Sequence, residues 1–287
     1  MNNWSCNWPA PAKLNLMLKV INRRPDGFHE IQTVFQLVDF YDFINFRKRV
    51  DSKISIIETI AGVPAGENLC FKAASLLKQE SGTKFGVEIS LKKALPKGAG
   101  LGGGSSDAAT TLVALNHIWG CELDHKELLR LGAILGSDVP FFINGLAAWA
   151  EGRGEKLEKI SLPELWYLIV IPDCEVNTSV IFNDPELTRD SSRITIRAFF
   201  DGDVDNDCLS VVLKHHHKVA VALEELSKHA DARLTGTGSC IFSEFRSEQE
   251  AEKVLRLLPK GMRGIVAKGL NQSPLIGRLA EELGQLT

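Results

Sequence analysis

The sequence lacks the features that would place a chain in or beyond a membrane. The apolar run Leu165–Ile171 is far too short to span a bilayer, and it predicts a buried strand instead. The first residues, Met1 to Ser5, have neither the basic start nor the long apolar core of a signal peptide. We therefore expect a cytoplasmic protein without a membrane partner.

Cysteine motifs for metal binding are absent too. The six cysteines are scattered, and no two of them form a Cys-x-x-Cys pair. In a cytosolic chain of this size, isolated cysteines are most simply free thiols. His215 to His217 are consecutive in a segment with helical periodicity, so their side chains would point in different directions. Neither pattern predicts a zinc site.

The chain has no excess of positive charge. Its net charge is −3, and no long basic stripe occurs. A nucleic-acid-binding module needs a basic surface, so we expect no nucleic acid partner. The length of 287 residues and the hydrophobic fraction of 44% suit one large domain or two domains of moderate size.

Glycine, in contrast, is concentrated in one stretch. The eleven residues of this stretch, five of them glycines, are Pro96, Lys97, Gly98, Ala99, Gly100, Leu101, Gly102, Gly103, Gly104, Ser105 and Ser106. Glycine allows positive φ angles and lets a backbone approach a ligand without a Cβ in the way. Successive amide N–H groups in such a turn can converge on an anion.

The segments on either side turn this glycine stretch into a predicted phosphate site. Val87 to Leu91 alternates as a strand does, and an apolar pattern with helical spacing runs from Ala108 to Trp119. Ser105, Ser106 and Asp107 are expected to cap that helix. Its unpaired N–H groups and the positive end of its dipole would then face the glycines. A flexible linker is the alternative, and neither the Walker A nor the Rossmann pattern fits.

Two further polar residues stand out by their positions. Between residues 10 and 20 the apolar side chains from Leu14 to Val20 alternate, which predicts a half-buried strand with Lys13 and Asn15 on its other face. Periodicity alone allows both to be ordinary solvated residues. Asp138 precedes Val139-Pro140, so its local sequence favours the N-cap of a helix with proline in the first turn.

The second half of the chain starts after a charged glycine turn, Glu151 to Glu155, which is the best candidate for a domain boundary. The regular elements predicted after it are a strand, two helices and a second strand, over 165–171, 208–229, 247–258 and 264–268. Together they indicate an α+β layer. The polar stretch 184–207 is predicted to be irregular, and the strand over 264–268 to be the last regular element. A second glycine turn lies within 233–245, and the sequence leaves open whether it is a simple hairpin turn or meets the first glycine stretch.

Three stretches of this chain resemble motifs of the GHMP kinase superfamily and occur in the order typical of that superfamily. These stretches are Pro11–Leu16, Pro96–Ser106 and Leu234–Ser239. Three more stretches are similar to the branch that acts on a cytidine diphosphate-linked methylerythritol. They are Arg24–Glu30, Leu135–Pro140 and Val180–Leu187. The resemblance extends over essentially all of the chain.

This resemblance implies an α+β fold with two domains. Residues 1–154 would form an N-terminal nucleotide-binding domain of the ribosomal protein S5 domain 2-like type. Residues 155–287 would form a C-terminal GHMP kinase domain with a ferredoxin-like fold. The active site would lie in the cleft between the domains. The oligomeric state stays open, with a homodimer as one option.

The resemblance also implies the reaction. The γ-phosphoryl group of ATP would be transferred, with Mg²⁺, to an alcohol of the small-molecule substrate. Asp138 matches the catalytic aspartate and Lys13 the catalytic lysine. A carboxylate within hydrogen-bond reach can take the proton of a tertiary alcohol, and a lysine beside it helps to offset the developing charge. No ligands for Mg²⁺ are predicted.

Binding residues follow from the same resemblance. The ATP site would comprise Asn68 and the stretch Pro96–Ser106. The substrate site would comprise Asn15, Phe28, His29, Thr178, Phe182, Gly236 and Thr237. Aromatic rings at Phe28 and Phe182 would stack on the cytosine, although core packing is the alternative for both. Phe28 stands where this branch more often has tyrosine, so a hydroxyl contact would be lost while stacking is kept.

Two rival functions remain at this point. Another small-molecule GHMP kinase, acting on a mevalonate-type, homoserine or sugar substrate, would keep the glycine stretch without needing rings around a cytosine. A non-catalytic nucleotide-binding protein on the same scaffold would bind ATP but would not need the Lys13–Asp138 pair. The aromatic positions and this pair therefore discriminate between the three functions.

Overall fold

A long antiparallel hairpin organises the computed structural model, which describes residues 4–58 and 64–284. Strands β1 (Trp4–Arg23) and β2 (His29–Arg49) pair along most of their length. Lys13 lies opposite Leu37 in this ladder, and the register shifts just after Asn15. Such a shift changes the direction of the following side chains, so it sets which residues share a face with Lys13.

Strand β2 is the hub of the N-terminal sheet, because it pairs with four other strands. Besides β1 these are β4 (Gly86–Lys92), β5 (Ala148–Gly152) and β10 (Arg263–Leu270). Strand β3 (Ile54–Ile56) runs parallel to β4, and β6 (Lys156–Lys159) extends the sheet beyond β5. Residues 31–38 and 42–47 are thus parts of one long strand.

Four helices cover this sheet, and their apolar faces form one core with it. They are α1 (Leu69–Ser81), α2 (Gly103–Trp119), α3 (His125–Leu135) and α4 (Val139–Asn144). Asn68 is the N-cap of α1, and its side-chain oxygen accepts a hydrogen bond from the N–H of Cys70 at 2.8 Å. This cap fixes the start of α1 beside the start of α2.

The C-terminal half contains a second antiparallel layer. Its strands lie in the order β10, β7 (Trp166–Ile171), β9 (Ile241–Phe245), β8 (Arg233–Leu234). The end of β10 pairs with β2 at Gly269 and Leu270, and this short ladder joins the two sheets. The mixed α+β architecture expected from the sequence is confirmed.

Helices of the second half are short. They are α5 (Thr178–Asn183), α6 (Ile196–Phe200), α7 (Leu209–His215), α8 (His217–Ser227), α9 (Glu248–Leu257) and α10 (Pro274–Glu282). None of the helices within 4–58 and 64–284 combines the length and the apolar character that a membrane span requires. The helix predicted over 247–258 is confirmed by α9, and the strand over 264–268 by β10.

Three of the predicted elements are wrong in the second half. The single helix over 208–229 is two helices, because His216 leaves the helical region with φ −128° and ψ 81°. The stretch 184–207 is not wholly irregular, since it contains α6. Regular structure does not end at β10: Ser273 caps α10, which returns to the N-terminal core through Leu275 and Leu279.

The expectation of a half-buried strand over residues 10–20 is also wrong. Lys13, Asn15 and Lys19 are all buried, at most 9% exposed. The second face of β1 is covered by segments distant in the sequence. Thr235 accepts a hydrogen bond from the backbone N–H of Asn15, and Asp203 and Asp205 pair with Lys19. The polar face of β1 is therefore an internal surface, which periodicity alone cannot distinguish from a solvated one.

The domain boundary after residue 154 stays a prediction. The turn Glu151–Glu155 connects β5 to β6, which pair with each other as a hairpin on the edge of the N-terminal sheet. A division of the chain between β6 and β7 would keep that hairpin in one unit. The return of α10 to the first core means that the last helix packs with the N-terminal half.

Candidate active site

A cavity of about 810 Å³ lies between the two halves of the structure and brings together most of the predicted site residues. The residues predicted for ATP binding that line it are Asn68, Pro96, Lys97, Gly98, Ala99, Gly100, Gly102, Gly103, Gly104 and Ser105. The residues predicted for catalysis and substrate binding that line it are Lys13, Asn15, Phe28, His29, Asp138, Thr178, Phe182, Gly236 and Thr237.

Two predicted ATP-site residues lie behind the wall of the cavity. Leu101 is buried, and its carbonyl oxygen accepts a hydrogen bond from the N–H of Lys13 at 3.0 Å. Ser106 is buried in α2, and its hydroxyl has no partner among the residues that the structure describes. Leu101 therefore links the glycine stretch to the strand that carries Lys13, while Ser106 does not face the cavity.

Positive φ angles and close packing shape the glycine stretch. Gly100 and Gly102 have φ angles of 77° and 71°. A Cβ on Gly100 would lie 2.3 Å from the carbonyl oxygen of Thr235. A Cβ on Gly102 would lie 2.8 Å from the ring of Phe142 and 3.1 Å from Cε of Lys13. A side chain is therefore excluded at both positions, by backbone strain and by space.

Helix α2 begins directly after this turn. Its N-cap is Gly102, which offers no side chain, so the first N–H groups of the helix have no capping partner. The predicted caps Ser105, Ser106 and Asp107 are wrong, because these residues lie within the helix rather than before it. Free N–H groups and the positive end of the helix dipole make this end of the cavity suited to a phosphate.

The second glycine turn meets the first. The N–H of Cys240 donates to the carbonyl oxygen of Ala99 at 3.1 Å, between the two turns. Gly236 has a φ of 58° and lines the same cavity. The hydroxyl of Thr237 shares a 3.0 Å hydrogen bond with that of Thr178 at the start of α5. Both turns therefore border one ligand space, a point that the sequence left open.

Lys13 and Asp138 form an ion pair in the cavity wall, with 3.4 Å between Nζ and Oδ2. The lysine side chain is 5% exposed and the aspartate 29%, so the carboxylate is the more accessible group. Lys13 also donates to Oδ1 of Asn15, whose Nδ2 donates to the hydroxyl of Thr33 at 2.8 Å. That hydroxyl donates to the carbonyl oxygen of Met17 at 2.6 Å. This chain of bonds fixes the ammonium beside Asp138.

The start of α4 carries Asp138. It occupies the N-cap position of a helix with proline in its first turn, as its local sequence predicted, although its side chain makes no capping hydrogen bond. The carboxylate pairs with Lys13 instead. The ring of Phe35 lies 5.2 Å from Nζ of Lys13 and adds a cation–π contact. Two segments more than a hundred residues apart are thus needed to form the pair.

Aromatic side chains line another part of the cavity. The rings of His29 and Phe182 stack with their centroids 5.1 Å apart and 30° between their planes. Phe28 is half-exposed, and the guanidinium of Arg153 lies 4.7 Å from its ring centroid. We call these four residues the aromatic end. The glycine stretch Pro96–Ser106 with the start of α2 is the glycine end.

Sequence reasoning missed two arginines at the aromatic end. Arg153 lies in the turn predicted as a domain boundary, and Arg189 lies in a stretch without periodicity. The Nε–H of Arg189 donates to Nε2 of His29 at 3.2 Å. Burial lowers the pKa of His29, and the charges of Arg189 and Arg23 lower that pKa further. These contacts join distant segments, so no local pattern could have identified them.

A charged cluster behind the glycine end was missed as well. Lys93 donates to the carboxylates of Asp42 and Asp107, the second at 2.7 Å. Asp42 also accepts from the N–H groups of Ala94 and Leu95, at 2.6 and 2.9 Å. Burial raises the pKa of Asp107; Lys93 opposes this rise and the charge of Asp42 adds to it. The cluster anchors the start of α2 to the strand before it.

Oxygen ligands for a divalent cation are few in this cavity. Within residues 4–58 and 64–284, no group of three or more His, Cys, Asp and Glu side chains could hold a metal ion. Ser105 and Asp107 both line the cavity, and Oδ1 of Asp107 has no partner among the described residues. Mg²⁺ is commonly held by one or two protein oxygens together with phosphate oxygens. This donor set fits an ion that arrives with a nucleotide.

Fold and site together define a class of protein. Residues 68–146 match the model of the GHMP kinases N terminal domain, and residues 196–264 match that of the GHMP kinases C terminal domain. The two matches cover slightly more than half of the chain, in the order expected from the resemblance. The class is that of the GHMP kinases, which makes the chain a kinase for which ATP is a substrate.

More similar proteins narrow this class. The chain is 50% identical over 278 residues to the 4-diphosphocytidyl-2-C-methyl-D-erythritol kinase of Shewanella halifaxensis, covering 96% of this chain and 98% of the relative. For the kinase of that name from Methylococcus capsulatus the identity is 50% over 282 residues, with 98% and 97% covered. A crystal structure of 4-(cytidine 5'-diphospho)-2C-methyl-D-erythritol kinase has a TM-score of 0.79 at 30% identity, covering 91% and 98%. The chain belongs to the 4-diphosphocytidyl-2-C-methyl-D-erythritol kinase family.

Proposed function

We propose that the chain transfers the γ-phosphoryl group of ATP to the 2-hydroxyl of 4-diphosphocytidyl-2-C-methyl-D-erythritol, giving the 2-phosphate and ADP. The proposal follows the names of relatives at about 50% identity. The observation that carries it is that the Lys13–Asp138 pair, the glycine end and the aromatic end line one cavity. This reaction needs a base, a phosphate cradle and a surface for the cytosine, held in one geometry.

Asp138 is the proposed general base. A tertiary alcohol becomes a useful nucleophile when its proton is taken up, and a carboxylate oxygen within hydrogen-bond reach can accept that proton. Lys13, whose ammonium lies 3.4 Å from the same carboxylate, would stabilise the negative charge that develops during transfer. Asn15 holds Lys13 through its side-chain oxygen and would contact the substrate from the same face.

The glycine end is the proposed site of the ATP phosphates. The N–H groups at the start of α2 have no capping partner and can donate to phosphate oxygens. Asn68 is proposed to lie near the adenine nucleotide. Its side-chain oxygen is used by the cap of α1, but its amide N–H groups can still donate to the ligand. When bound, Mg²⁺ would neutralise phosphate charge, and Ser105 and Asp107 are the proposed protein groups beside it.

The aromatic end is the proposed cytosine site. Phe28 and Phe182 line the cavity, where the guanidinium of Arg153 lies against the ring of Phe28 and the ring of His29 stacks on that of Phe182. Flat apolar faces of this kind suit stacking with a base, while His29 and Thr178 supply polar groups for its edge. Gly236 and Thr237 would border the substrate from the second glycine turn.

Cellular location and assembly are parts of the same proposal. We propose that the protein is located in the cytoplasm, where ATP is available. We also propose two domains with the predicted extents 1–154 and 155–287.

Light scattering of the purified chain distinguishes a monomer from a homodimer. Separate expression of residues 1–154 and of residues 155–287 tests this division. The division is wrong if neither segment folds alone while a segment that ends after β6 does fold.

A coupled ADP-release assay tests the reaction directly. Purified protein with ATP and Mg²⁺ should release ADP with 4-diphosphocytidyl-2-C-methyl-D-erythritol, and ³¹P NMR should find a new phosphomonoester on the 2-hydroxyl. Mevalonate, homoserine and galactose should give no release above the background hydrolysis of ATP. Turnover of one of these alcohols alone would favour another GHMP kinase activity. Binding of ATP with no turnover of any alcohol would favour the non-catalytic alternative.

A further inference from the structure

Arg189 connects the two sides of the aromatic end through all three nitrogens of its guanidinium. Its Nε–H donates to Nε2 of His29 at 3.2 Å. One terminal nitrogen donates to the carbonyl oxygens of Phe182 and Asp184, at 3.0 and 2.5 Å, and the other donates to that of Leu187 at 3.1 Å. His29 begins β2 and Phe182 lies near the end of α5, so one side chain fixes their relative position.

The same contact determines where His29 carries its proton. A guanidinium has donors and no acceptor, so Nε2 of His29 must accept, and the neutral ring carries its hydrogen on Nδ1. A second proton on Nε2 would face the N–H of Arg189 and break the bond. The charged groups acting on the ring are Arg189 and Arg23, which are both cations, and each lowers the pKa that burial already lowers. His29 therefore offers Nδ1–H as its donor.

Nδ1 of His29 has no partner among the described residues, and the ring lines the cavity. Stacking on Phe182 holds the plane of the imidazole. A planar ligand that stacks here meets a ring whose tilt and tautomer are both set by Arg189. Without the guanidinium, the imidazole ring and the end of α5 would lose their shared hydrogen-bond donor, and His29 could adopt either neutral tautomer.

We propose that Arg189 is a positioning residue for the cytidine diphosphate part of the substrate, acting by fixing the Nδ1–H tautomer of His29 and by holding the Phe182 end of α5. This inference rests on the proposed function, because it assigns the aromatic end to the base. Arg189 makes none of the contacts of the Lys13–Asp138 pair or the glycine end. Its role is therefore confined to substrate binding.

Steady-state kinetics of Arg189→Met test this role. Methionine keeps an apolar stem of similar length but donates no hydrogen bond. We expect KM for the cytidyl substrate to rise about tenfold or more, which is the scale of a lost hydrogen bond to a charged group. KM for ATP should stay within about twofold. The matched control is Arg193→Met, four residues further on, which pairs with Glu30 and Glu151 and should leave KM for the cytidyl substrate near the wild-type value.

The pH profile supplies a readout that a general loss of stability would not move. Burial and the charges of Arg189 and Arg23 lower the pKa of His29 in the wild type, so its ring stays neutral to a lower pH than in Arg189→Met, where one of these cations is gone. As the pH falls from about 8 to about 5, KM for the cytidyl substrate should therefore begin to rise at a higher pH in Arg189→Met than in the wild type. A flat profile in the variant, or an equal rise in both KM values, would overturn the proposal.

Imidazole ¹⁵N NMR of the free protein tests the tautomer without using activity. The His29 signals should report a hydrogen on Nδ1 in the wild type and a mixture of the two neutral tautomers in Arg189→Met. If Arg189→Met does not fold, Arg189→Lys replaces it, because a single ammonium cannot reach His29 and the three carbonyl oxygens at once. Wild-type NMR signals and KM in the lysine variant would contradict the proposal. No turnover by the wild type would reject the proposed function, while the NMR result would still decide the role of Arg189.

Discussion

The glycine end and the aromatic end of the cavity consist of different kinds of chemical groups. The glycine end is one continuous stretch followed by a helix start, and it offers backbone N–H groups. The aromatic end consists of side chains from three separate segments, and the guanidinium of Arg189 connects two of them. The first therefore depends on backbone conformation, whereas the second depends on the identity of individual side chains.

This difference separates the two halves of the proposed reaction. Any nucleotide carries phosphates, so a backbone cradle is enough for the ATP phosphates. Discrimination between acceptor alcohols needs groups that match one base, and those are side chains at the aromatic end. Lys13 and Asp138 lie in the same cavity, and in the proposed reaction they would act where the two ligands meet.

The largest expected effect is on the catalytic pair. Asp138→Asn removes the proton acceptor while keeping size and hydrogen-bonding ability, so kcat should fall by about 10²–10⁴-fold. Binding of ATP, measured by calorimetry, should change little because the glycine end is untouched. A variant that keeps more than about a tenth of the wild-type kcat would show that Asp138 is not the general base.

A glycine pair tests whether the glycine end works through its backbone. Gly102→Ala combines a strained φ of 71° with a Cβ 2.8 Å from the Phe142 ring and 3.1 Å from Lys13 Cε. We expect kcat/KM to fall by about 10²-fold, the scale of a small displacement of catalytic groups. The matched control is Gly120→Ala at the other end of α2, with a φ of 65° and open space around the added Cβ.

Both glycine variants should lose about 1–2 kcal/mol of stability from backbone strain, measured by urea unfolding. Only Gly102→Ala should lose activity. Equal losses of activity in the two variants would mean that strain alone matters, and that close approach of the backbone at Gly102 does not.

Substitution at the aromatic end should act on one substrate only. Phe182→Ala removes a stacking face, and base–aromatic stacking contributes about 1–3 kcal/mol, so KM for the cytidyl substrate should rise roughly 5- to 150-fold. KM for ATP should remain near the wild-type value. Phe200→Ala is the control, because Phe200 is a half-exposed phenylalanine of the same half that does not line the cavity. Equal changes in both KM values would contradict the stacking assignment.

The smallest expected effects concern the cluster behind the glycine end. Asp42→Ala leaves the N–H groups of Ala94 and Leu95 without an acceptor and removes one of the two carboxylates that pair with Lys93, so it should cost about 2 kcal/mol or more in urea unfolding at pH 7.5. Asp107→Ala removes only one contact with Lys93 and should cost less. The reverse order would show that Asp107, not Asp42, anchors the cluster.

The stability of the wild type and that of Asp107→Ala should also depend differently on pH. The pKa of Asp107 is raised in the folded protein, so the folded protein binds this proton more tightly than the unfolded chain does. Its contribution is therefore greatest below about pH 4 and is lost as the pH rises through the raised pKa. Asp107→Ala should remove this loss, so its deficit relative to the wild type should shrink between about pH 5 and pH 8. A deficit that grows over this range would contradict the direction of the shift.

The sequence predicted the glycine end well because its signals are local. Glycines from Gly98 to Gly104, a strand before them and a helix after them are all readable in one stretch, and the structure confirms that order. The exact cap could not be predicted, since Gly102 ends the turn through its φ angle rather than through a side chain. The burial of Lys13 and Asn15 also escaped periodicity, because remote segments cover that face.

At the aromatic end the sequence predicted members but not their arrangement. Resemblance selected Phe28, His29 and Phe182, and the structure shows that His29 stacks on Phe182. Arg153 and Arg189 join them only through tertiary contacts, which leave no periodic trace. Helix α10 was not predicted, although Ser273 followed by Pro274 is a local pattern typical of a helix N-terminus.

One comparison of substrates tests the central claim most directly, namely that the two ends bind separate parts of one reaction. ADP release is measured with ATP and Mg²⁺, first with 4-diphosphocytidyl-2-C-methyl-D-erythritol and then with 2-C-methyl-D-erythritol lacking the cytidyl group. We expect turnover of the first alone, because the aromatic end holds the acceptor only through its base. Comparable turnover of both alcohols would contradict the assignment of the aromatic end.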